Sequence, residues 1–271
     1  MDLPLTLGAE GVGVVDAVGP GVTNLSTGQR VAYSGGQIGS YAEERLISAE
    51  ALIPLPEFID DQTAAAMMLK GMTVHMLLFK CYAVQPGDVI LVHAAAGGVG
   101  TILCQWANHL GVTVIGTVGN EAKAQKAKAN GCKHPINYAT KNFTEKVLEI
   151  TAGKGVPVVY DSIGADTFEG SLDCLQNFGV LVTYGNASGP VPAVEPLVLM
   201  QKGSIALCRP TLMHYAAERD RRDKAANDLF DVVGKGHIKI EVGQSFPLSD
   251  TAQAHRALEA RQTTGSTVLL P

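Results

Sequence analysis

The residues of this chain with the clearest chemical potential are three glycines in a short segment, Ala94-Ala95-Ala96-Gly97-Gly98-Val99-Gly100. The segment follows an apolar run at 88–92, typical of a buried strand, and precedes a run typical of a helix that begins near Thr101. A strand, a glycine-rich turn and a helix in this order let the backbone approach a phosphate, which the first N–H groups of the helix bind. The segment therefore predicts a phosphate-binding turn. The alternative is an ordinary turn in which Gly97 and Gly98 supply positive φ.

The match to the dinucleotide fingerprint G-x-G-x-x-G is incomplete. Its register places Ala95, Gly97 and Gly100 at the three glycine positions. A second apolar run at 112–118 completes a strand-helix-strand unit of the expected length. This context favours dinucleotide binding over the ordinary turn.

The choice of dinucleotide depends on the end of the second strand, Thr117-Val118-Gly119-Asn120. An NAD site places an acidic residue at this tip, where it binds the ribose 2′-hydroxyl, and this chain has none there. Asn120 is typical of a helix N-cap, and Lys123 lies in the first turn, where the helix dipole disfavours a cation. A 2′-phosphate would offset that repulsion, so Asn120 and Lys123 favour NADPH, whereas Glu121 leaves NADH open.

Two more groups of polar and glycine residues follow later strands, at 160–164 (Tyr-Asp-Ser-Ile-Gly) and at 184–189 (Tyr-Gly-Asn-Ala-Ser-Gly). The carboxyl ends of parallel strands form the ligand crevice of open α/β sheets. These groups therefore predict a wall around the nicotinamide ribose, with ordinary turn residues as the alternative.

The surrounding pattern predicts the elements that hold these residues. From residue 88 onward strands alternate with helices, including a helix at 166–176 and a strand at 204–208, which is typical of an α/β protein with a doubly wound parallel sheet. Residues before this region are β-rich, with strands at 11–18, 29–33 and 39–47, then a helix at 61–80 interrupted at Gly71. A polar helix at 213–235 and a strand at 266–270 end the chain. We expect a β domain at 1–70, a Rossmann domain at 71–212, and a segment at 213–271 that returns to the first domain.

Composition excludes several classes of protein. The net charge of −5 argues against a nucleic-acid partner, and the longest apolar region, 89–107, contains His93, a Gly-Gly pair and Gln105, which makes it a poor membrane span. Five scattered cysteines without C-x-x-C spacing and dispersed histidines predict free thiols in a reducing cytoplasm and no metal site. The first residues carry no export signal. We therefore expect a cytoplasmic protein without a membrane partner.

The motifs together resemble the zinc-independent NADPH:quinone oxidoreductases, the zeta-crystallin-like group of the medium-chain dehydrogenase/reductase superfamily. The resemblance extends over essentially the whole chain, and its motifs are Leu7–Val15, Gly28–Tyr33, Ala64–Thr73, Ala94–Gly100, Val159–Gly164, Gly185–Gly189 and Arg209–Thr211. It implies a Rossmann domain with a GroES-like β domain, and reduction of a quinone by hydride from C4 of the nicotinamide of NADPH. It also implies a homodimer formed through the edge strand at 204–208.

By motif position the resemblance implies a set of NADPH contacts. They are Thr73, Gly97, Gly98, Val99, Gly119, Asn120, Lys123, Tyr138, Ser162, Tyr184, Asn186, Arg209 and Arg261. Tyr138 would lie near the adenine, Lys123 at the 2′-phosphate, and Tyr184 with Asn186 toward the nicotinamide. Ala187 replaces a serine of some relatives. No residue pair identifies a general acid, so no catalytic residue is assigned.

The resemblance also bears on metals and on chain length. Ala9 stands where zinc-dependent relatives have a histidine ligand, and no four-cysteine zinc lobe lies between Arg30 and Lys70. Family members carry about fifty further residues before the Leu7-Gly8 region. We therefore expect an incomplete GroES-like domain, through either a misassigned start or a short form. The alternatives in function are a zinc-free enone or enoyl reductase and a catalytically impaired NADPH-binding short form.

Overall fold

The structure is a computed structural model that describes residues 4–36, 38–260 and 262–271. In chain order its strands are β1 (Glu10–Val14), β2 (Arg30–Ser34), β3 (Ile53–Pro54), β4 (Val89–Val92), β5 (Thr113–Val118), β6 (Cys132–Asn137), β7 (Val156–Asp161), β8 (Leu175–Thr183), β9 (Ala206–Cys208), β10 (Val242–Pro247) and β11 (Ser266–Leu270). Its α-helices are α1 (Asp61–Met76), α2 (Gly98–His109), α3 (Glu121–Ala129), α4 (Phe143–Ile150), α5 (Phe168–Asp173), α6 (Pro196–Gln201), α7 (Leu212–Tyr215), α8 (Arg219–Gly234) and α9 (Thr251–Glu259).

The chain divides into two compact units. The first unit comprises the residues up to Thr73 together with Leu212–Pro271, and the second comprises Val74–Thr211. The second unit contains a six-stranded parallel sheet with the order β6-β5-β4-β7-β8-β9. The strand order reverses between β4 and β7, the position where ligands bind in such sheets.

The central strands of this sheet are rich in Val, Ile and Leu because helices cover the sheet. Leu91, Ile115 and Val159 have no exposed surface, and Phe168 and Leu172 of α5 pack into the same cluster. This apolar core makes the sheet a rigid base for the loops at its carboxyl edge.

The first unit is built from smaller sheets. β1, β2 and β3 form an antiparallel sheet, and β10 pairs in parallel with β11. Val15, Val31 and Leu52 belong to its buried cluster. Helix α1 runs through Gly71 without the predicted interruption. A Cβ at Gly71 would lie 2.5 Å from Cδ2 of Leu229 in α8, so the glycine lets these two helices pack closely.

Four other expectations about single elements are wrong. Residues 39–47 are not a strand, since the N–H groups of Gly39 and Tyr41 donate to carbonyls of Gly8 and Leu7 in an irregular loop. Helix α5 ends at Asp173 because β8 already begins at Leu175. The polar helix is divided into α7 and α8, since the backbone is extended at Glu218 (φ −85°, ψ 121°). The edge strand β9 is confined to Ala206–Cys208.

Helix α1 continues as a π-helical turn at Leu77–Cys81. The combined segment Asp61–Cys81 is long enough to cross a membrane, and its most apolar stretch of 18 residues has a mean hydropathy of 1.2. However, 61% of that stretch is buried inside the protein. The core helix of a globular protein has the same properties.

Candidate dinucleotide site

The glycine-rich turn joins β4 to α2. Positive φ occurs in this turn at Ala94 (+53°), whereas Gly97 is at φ −78°. The Gly97 N–H donates to the Ala94 carbonyl over 2.8 Å, and the Ala95 N–H donates to the Thr117 carbonyl of β5 over 3.0 Å. The structure thus does not support the alternative in which Gly97 supplies positive φ.

The glycines are needed for space. A Cβ at Gly100 would lie 2.3 Å from the Ala94 carbonyl oxygen, and one at Gly97 would lie 3.1 Å from the same oxygen. On the neighbouring strand, a Cβ at Gly116 would lie 2.5 Å from the Ala95 Cβ. The start of α2 therefore packs directly on the turn.

This packing leaves bare backbone at the start of α2. The N–H groups of Gly98, Val99 and Gly100 precede the bond from the Thr101 N–H to the Gly97 carbonyl, which is 2.9 Å long. The first N–H groups of a helix have no partner within the helix, and the dipole adds partial positive charge. N–H groups of this kind are the donors that bind a pyrophosphate at the start of a helix.

The end of β5 brings together four predicted contact residues. Asn120 caps α3 by accepting the Lys123 N–H on its side-chain oxygen at 2.9 Å, as predicted. Tyr138 follows β6 and is 55% exposed, and a Cβ at Gly119 would lie 2.8 Å from its hydroxyl oxygen. The first turn of α3, with its Asn120 cap and Lys123, and the exposed ring of Tyr138 therefore lie at one strand end.

A third group lies at the ends of β7, β8 and β9. A hydrogen bond joins the Tyr184 and Ser162 side chains, and burial raises the pKa of the Tyr184 phenol while that bond opposes the rise. The Ser162 carbonyl accepts the Ala187 N–H at 3.2 Å. Arg209 donates from Nη1 to the Thr183 carbonyl at 2.8 Å, so its guanidinium lies at the carboxyl end of β8.

The loop after β7 is held by Asp161, which has no exposed surface. Its Oδ1 accepts the N–H groups of Ile163 at 2.7 Å and Gly164 at 3.2 Å. Its Oδ2 accepts the hydroxyls of Thr167 at 2.7 Å and Ser171 at 3.2 Å. A buried carboxylate is tolerated when such donors replace its water. Sequence reasoning placed Asp161 in the predicted wall around the nicotinamide ribose, with an ordinary turn residue as the alternative, and missed this buried role.

Three predicted contacts remain. Asn186 lies in the loop after β8, where its backbone carbonyl accepts the Gly189 N–H at 3.0 Å. Thr73 belongs to the first unit, and its hydroxyl donates to the Leu69 carbonyl one helical turn earlier at 2.7 Å. Arg261 lies outside the described residues.

The first unit holds a partly buried carboxylate, at Glu10 of β1. Its Oε2 accepts the Leu69 N–H at 2.8 Å. Burial raises the pKa of Glu10, and the nearby Lys70 charge lowers it. Sequence reasoning used Glu10 only as part of a motif, since the long-range contact with α1 leaves no local signal.

A hydrogen bond of 3.2 Å joins the Tyr41 hydroxyl to His255 Nε2. The Tyr41 pKa is raised, first by burial and then by the Glu10 charge. Within the described part of the chain, no group of three or more His, Cys, Asp or Glu side chains is arranged to hold a metal ion.

Comparisons with known proteins agree with this architecture. A family model described as "Zinc-binding dehydrogenase" matches residues 98–229, and one described as "Alcohol dehydrogenase GroES-like domain" matches residues 1–57. Both are domains of the medium-chain dehydrogenase/reductase superfamily, a class of oxidoreductases. The predicted fold class, a Rossmann sheet with a GroES-like domain, is confirmed.

The similar proteins define the family more closely. A quinone oxidoreductase of Pseudomonas aeruginosa is 50% identical, with 99% of this chain and 83% of that protein covered. A 2-haloacrylate reductase of a Burkholderia species is 49% identical over 99% and 81% of the two chains. The crystal structure of Escherichia coli quinone oxidoreductase complexed with NADPH is 46% identical, with a TM-score of 0.96 over 99% and 83%. The chain belongs to the quinone oxidoreductase family, as the resemblance implied.

Proposed function

We propose that this protein reduces quinones with NADPH and without zinc. The observation that carries the proposal is the start of α2, where the N–H groups of Gly98 and Val99 precede the first bond within the helix and Gly100 lets the helix pack directly on the turn. A relative of 46% identity and nearly the same fold is complexed with NADPH. NADPH supplies the hydride, from C4 of its nicotinamide, and the protein supplies orientation and local electrostatics.

The three groups of residues have separate tasks in this proposal. The N–H groups of Gly98 and Val99 bind the pyrophosphate. Lys123 and Asn120 bind the 2′-phosphate, and Tyr138 covers the adenine. Ser162, Tyr184, Asn186 and Arg209 surround the nicotinamide ribose, and Thr73 and Arg261 complete the set through the resemblance. Ala9 supports zinc independence, since a methyl group cannot ligate zinc.

The domain roles follow from these tasks. The second unit is the NADPH-binding domain, and the first unit, which includes the segment at 213–271, is the catalytic domain that receives the quinone. The protein acts in the cytoplasm on a small molecule, with neither a membrane nor a nucleic acid as partner.

Two measurements test this function. Titration of the protein with NADPH should change the nicotinamide fluorescence and raise Tm, and NADH should bind more weakly. Addition of benzoquinone or naphthoquinone should then oxidise NADPH catalytically. If NADPH produces neither a fluorescence change nor a thermal shift, the proposed function is wrong.

The Burkholderia relative favours a second candidate, reduction of an electron-poor carbon-carbon double bond in an enone or acrylate. Both reactions deliver hydride to an electrophile conjugated to a carbonyl, so the acceptors must be compared directly. A higher kcat/KM with 2-chloroacrylate or a crotonyl thioester than with quinones would favour this second candidate. Binding of NADPH without turnover on any acceptor would indicate the catalytically impaired short form.

A homodimer is proposed through β9, the edge strand of the six-stranded sheet. Its open edge is a template for pairing with a second copy, and Phe178 and Met200, in β8 and α6 of the same unit, are 79% and 57% exposed. Light scattering should give the mass of a dimer, and Ala206→Lys, which adds a charge to the edge, should give a monomer. A monomeric wild-type protein contradicts the proposal.

A further inference from the structure

A chain of polar side chains lies beneath the loops of the candidate site. It consists of Thr117 at the end of β5, His93 after β4, Ser171 in α5 and Asp161 at the end of β7. Thr117 Oγ1 is 2.9 Å from His93 Nδ1, His93 Nε2 is 3.0 Å from Ser171 Oγ, and Ser171 Oγ is 3.2 Å from Asp161 Oδ2. None of the four residues is more than 1% exposed. The proposed function uses none of their side chains directly.

The acceptor at one end determines the direction of every bond. A carboxylate can only accept, so the Ser171 hydroxyl donates its proton to Asp161 and must accept from His93. The proton of the imidazole is therefore on Nε2, and Nδ1 is bare. Thr117 then donates its hydroxyl proton to Nδ1. This is one uninterrupted direction of donation, from Thr117 through His93 and Ser171 to Asp161.

The surroundings keep His93 in this neutral form. Burial lowers the pKa of His93, and the Asp161 charge opposes that effect. The ring of Phe143 meets the imidazole edge-on, with centroids 5.0 Å apart and planes at 88°. With no exposed surface, His93 cannot touch a ligand. Its effect on the site must pass through Asp161.

Asp161 connects this chain to the loop after β7. The carboxylate accepts the N–H groups of Ile163 and Gly164, which belong to the two successive peptides that follow Ser162. A Cβ at Gly164 would lie 2.3 Å from the Gly189 carbonyl, so this loop packs against the loop after β8 with no free space. A rotation of the Asp161 carboxylate would therefore move both loops.

We propose that His93 is a positioning residue: as the Nε2–H tautomer it orients the Asp161 carboxylate through Ser171 and thereby sets the shape of the loop at Ser162–Gly164 for the bound dinucleotide. This proposal rests on the proposed contact between Ser162 and the cofactor. The tautomer, however, is a property of the free protein.

The first experiment measures the tautomer without any ligand. In protein labelled with ¹⁵N-histidine at neutral pH, the His93 signals, assigned by their loss in His93→Asn, should show a protonated Nε2 with a slowly exchanging proton and an unprotonated Nδ1. A proton on Nδ1, in either the other tautomer or an imidazolium, would overturn the proposal.

The second experiment measures the effect on the loop. Ser171→Ala breaks the link but leaves Asp161 its other donors, so the Kd for NADPH should rise about fivefold and the KM likewise, with kcat at saturating NADPH unchanged. Thr117→Val, which keeps the shape and loses the hydroxyl, should raise Kd about twofold. Thr117→Ser keeps the hydroxyl and loses a methyl group, so it should retain the wild-type Kd even if it lowers Tm.

The outcomes separate the two proposals. A wild-type Kd in Ser171→Ala, or equal changes in Thr117→Val and Thr117→Ser, would refute the positioning role. Failure of the wild-type protein to bind NADPH would refute the proposed function instead, and the tautomer would still be measurable.

Discussion

Two turns at the carboxyl edge of the same sheet reach their shape by opposite means. The turn after β4 requires glycine, since the Ala94 carbonyl lies so close to the start of α2 that no Cβ fits between them. The loop after β7 depends on added bonds, since one carboxylate accepts two N–H groups and two hydroxyls. A side chain added at a glycine would disrupt the first turn, and removal of the Asp161 side chain would disrupt the second.

The difference reflects what each turn has to leave exposed. In the proposed function a phosphate is bound by backbone N–H groups, so the turn after β4 must present bare backbone. The loop after β7 presents side chains such as Ser162, so its own backbone N–H groups are held from beneath by Asp161. The variants below change one turn at a time, from the largest expected effect to the smallest.

Removal of the Asp161 carboxylate should have the largest effect. Asp161→Leu keeps a similar volume but leaves buried N–H groups and hydroxyls without an acceptor, which should lower the free energy of unfolding by about 3 kcal/mol or more. Urea unfolding measures this change. Asp161→Asn retains one acceptor oxygen and should lose markedly less. Equal losses in the two variants would show that the loop does not depend on acceptors.

A methyl group in the turn after β4 should have the next largest effect. Gly100→Ala places a Cβ 2.3 Å from the Ala94 carbonyl oxygen, so the turn or the helix must shift. We expect a loss of about 2 kcal/mol in stability and at least about a tenfold rise in the Kd for NADPH. Gly13→Ala is the matched control, because a Cβ at Gly13 meets nothing within 4 Å. Unchanged NADPH binding in Gly100→Ala would contradict the steric account.

Cofactor selectivity tests the end of β5. Lys123→Ala should raise the Kd for NADPH about tenfold and leave that for NADH unchanged, since only NADPH carries the 2′-phosphate. Lys128→Ala, an exposed lysine in the last turn of the same helix, is the control and should change neither value. Parallel weakening of both cofactors in Lys123→Ala would argue against a 2′-phosphate contact.

The smallest effect concerns pH. Because burial lowers the pKa of His93 below its ordinary value of 6.5, the unfolded chain binds the proton more readily than the folded protein. The stability that neutral His93 provides is therefore fully present above pH 6.5 and is lost as the pH falls below it. Urea unfolding across this range should give a steeper acid loss for the wild type than for His93→Asn. Identical slopes would mean that His93 titrates alike in both states.

Much of the second unit follows from local sequence signals. The apolar runs at 88–92 and 112–118 correspond to β4 and β5, and Asn120 caps α3 as its residue type predicted. The wrong expectations are those where a distant contact overrides a local pattern. Residues 39–47 were expected to form a strand, yet the N–H groups of Gly39 and Tyr41 bond to the carbonyls of Gly8 and Leu7. Gly71 was expected to interrupt a helix, yet it makes room for Leu229.

The sequence by itself determined the alternation of strands and helices, the glycine turn and the place of Lys123 in the first turn of α3, because each depends on residues only a few positions apart. The tertiary structure alone decided the chain from Thr117 to Asp161. His93 lies 24 positions from Thr117 and 78 from Ser171, and only the strand order of the sheet brings them within hydrogen-bonding distance. The absence of a side chain at a glycine is visible in the sequence itself, whereas a hydrogen bond between distant residues depends on where the fold places both partners.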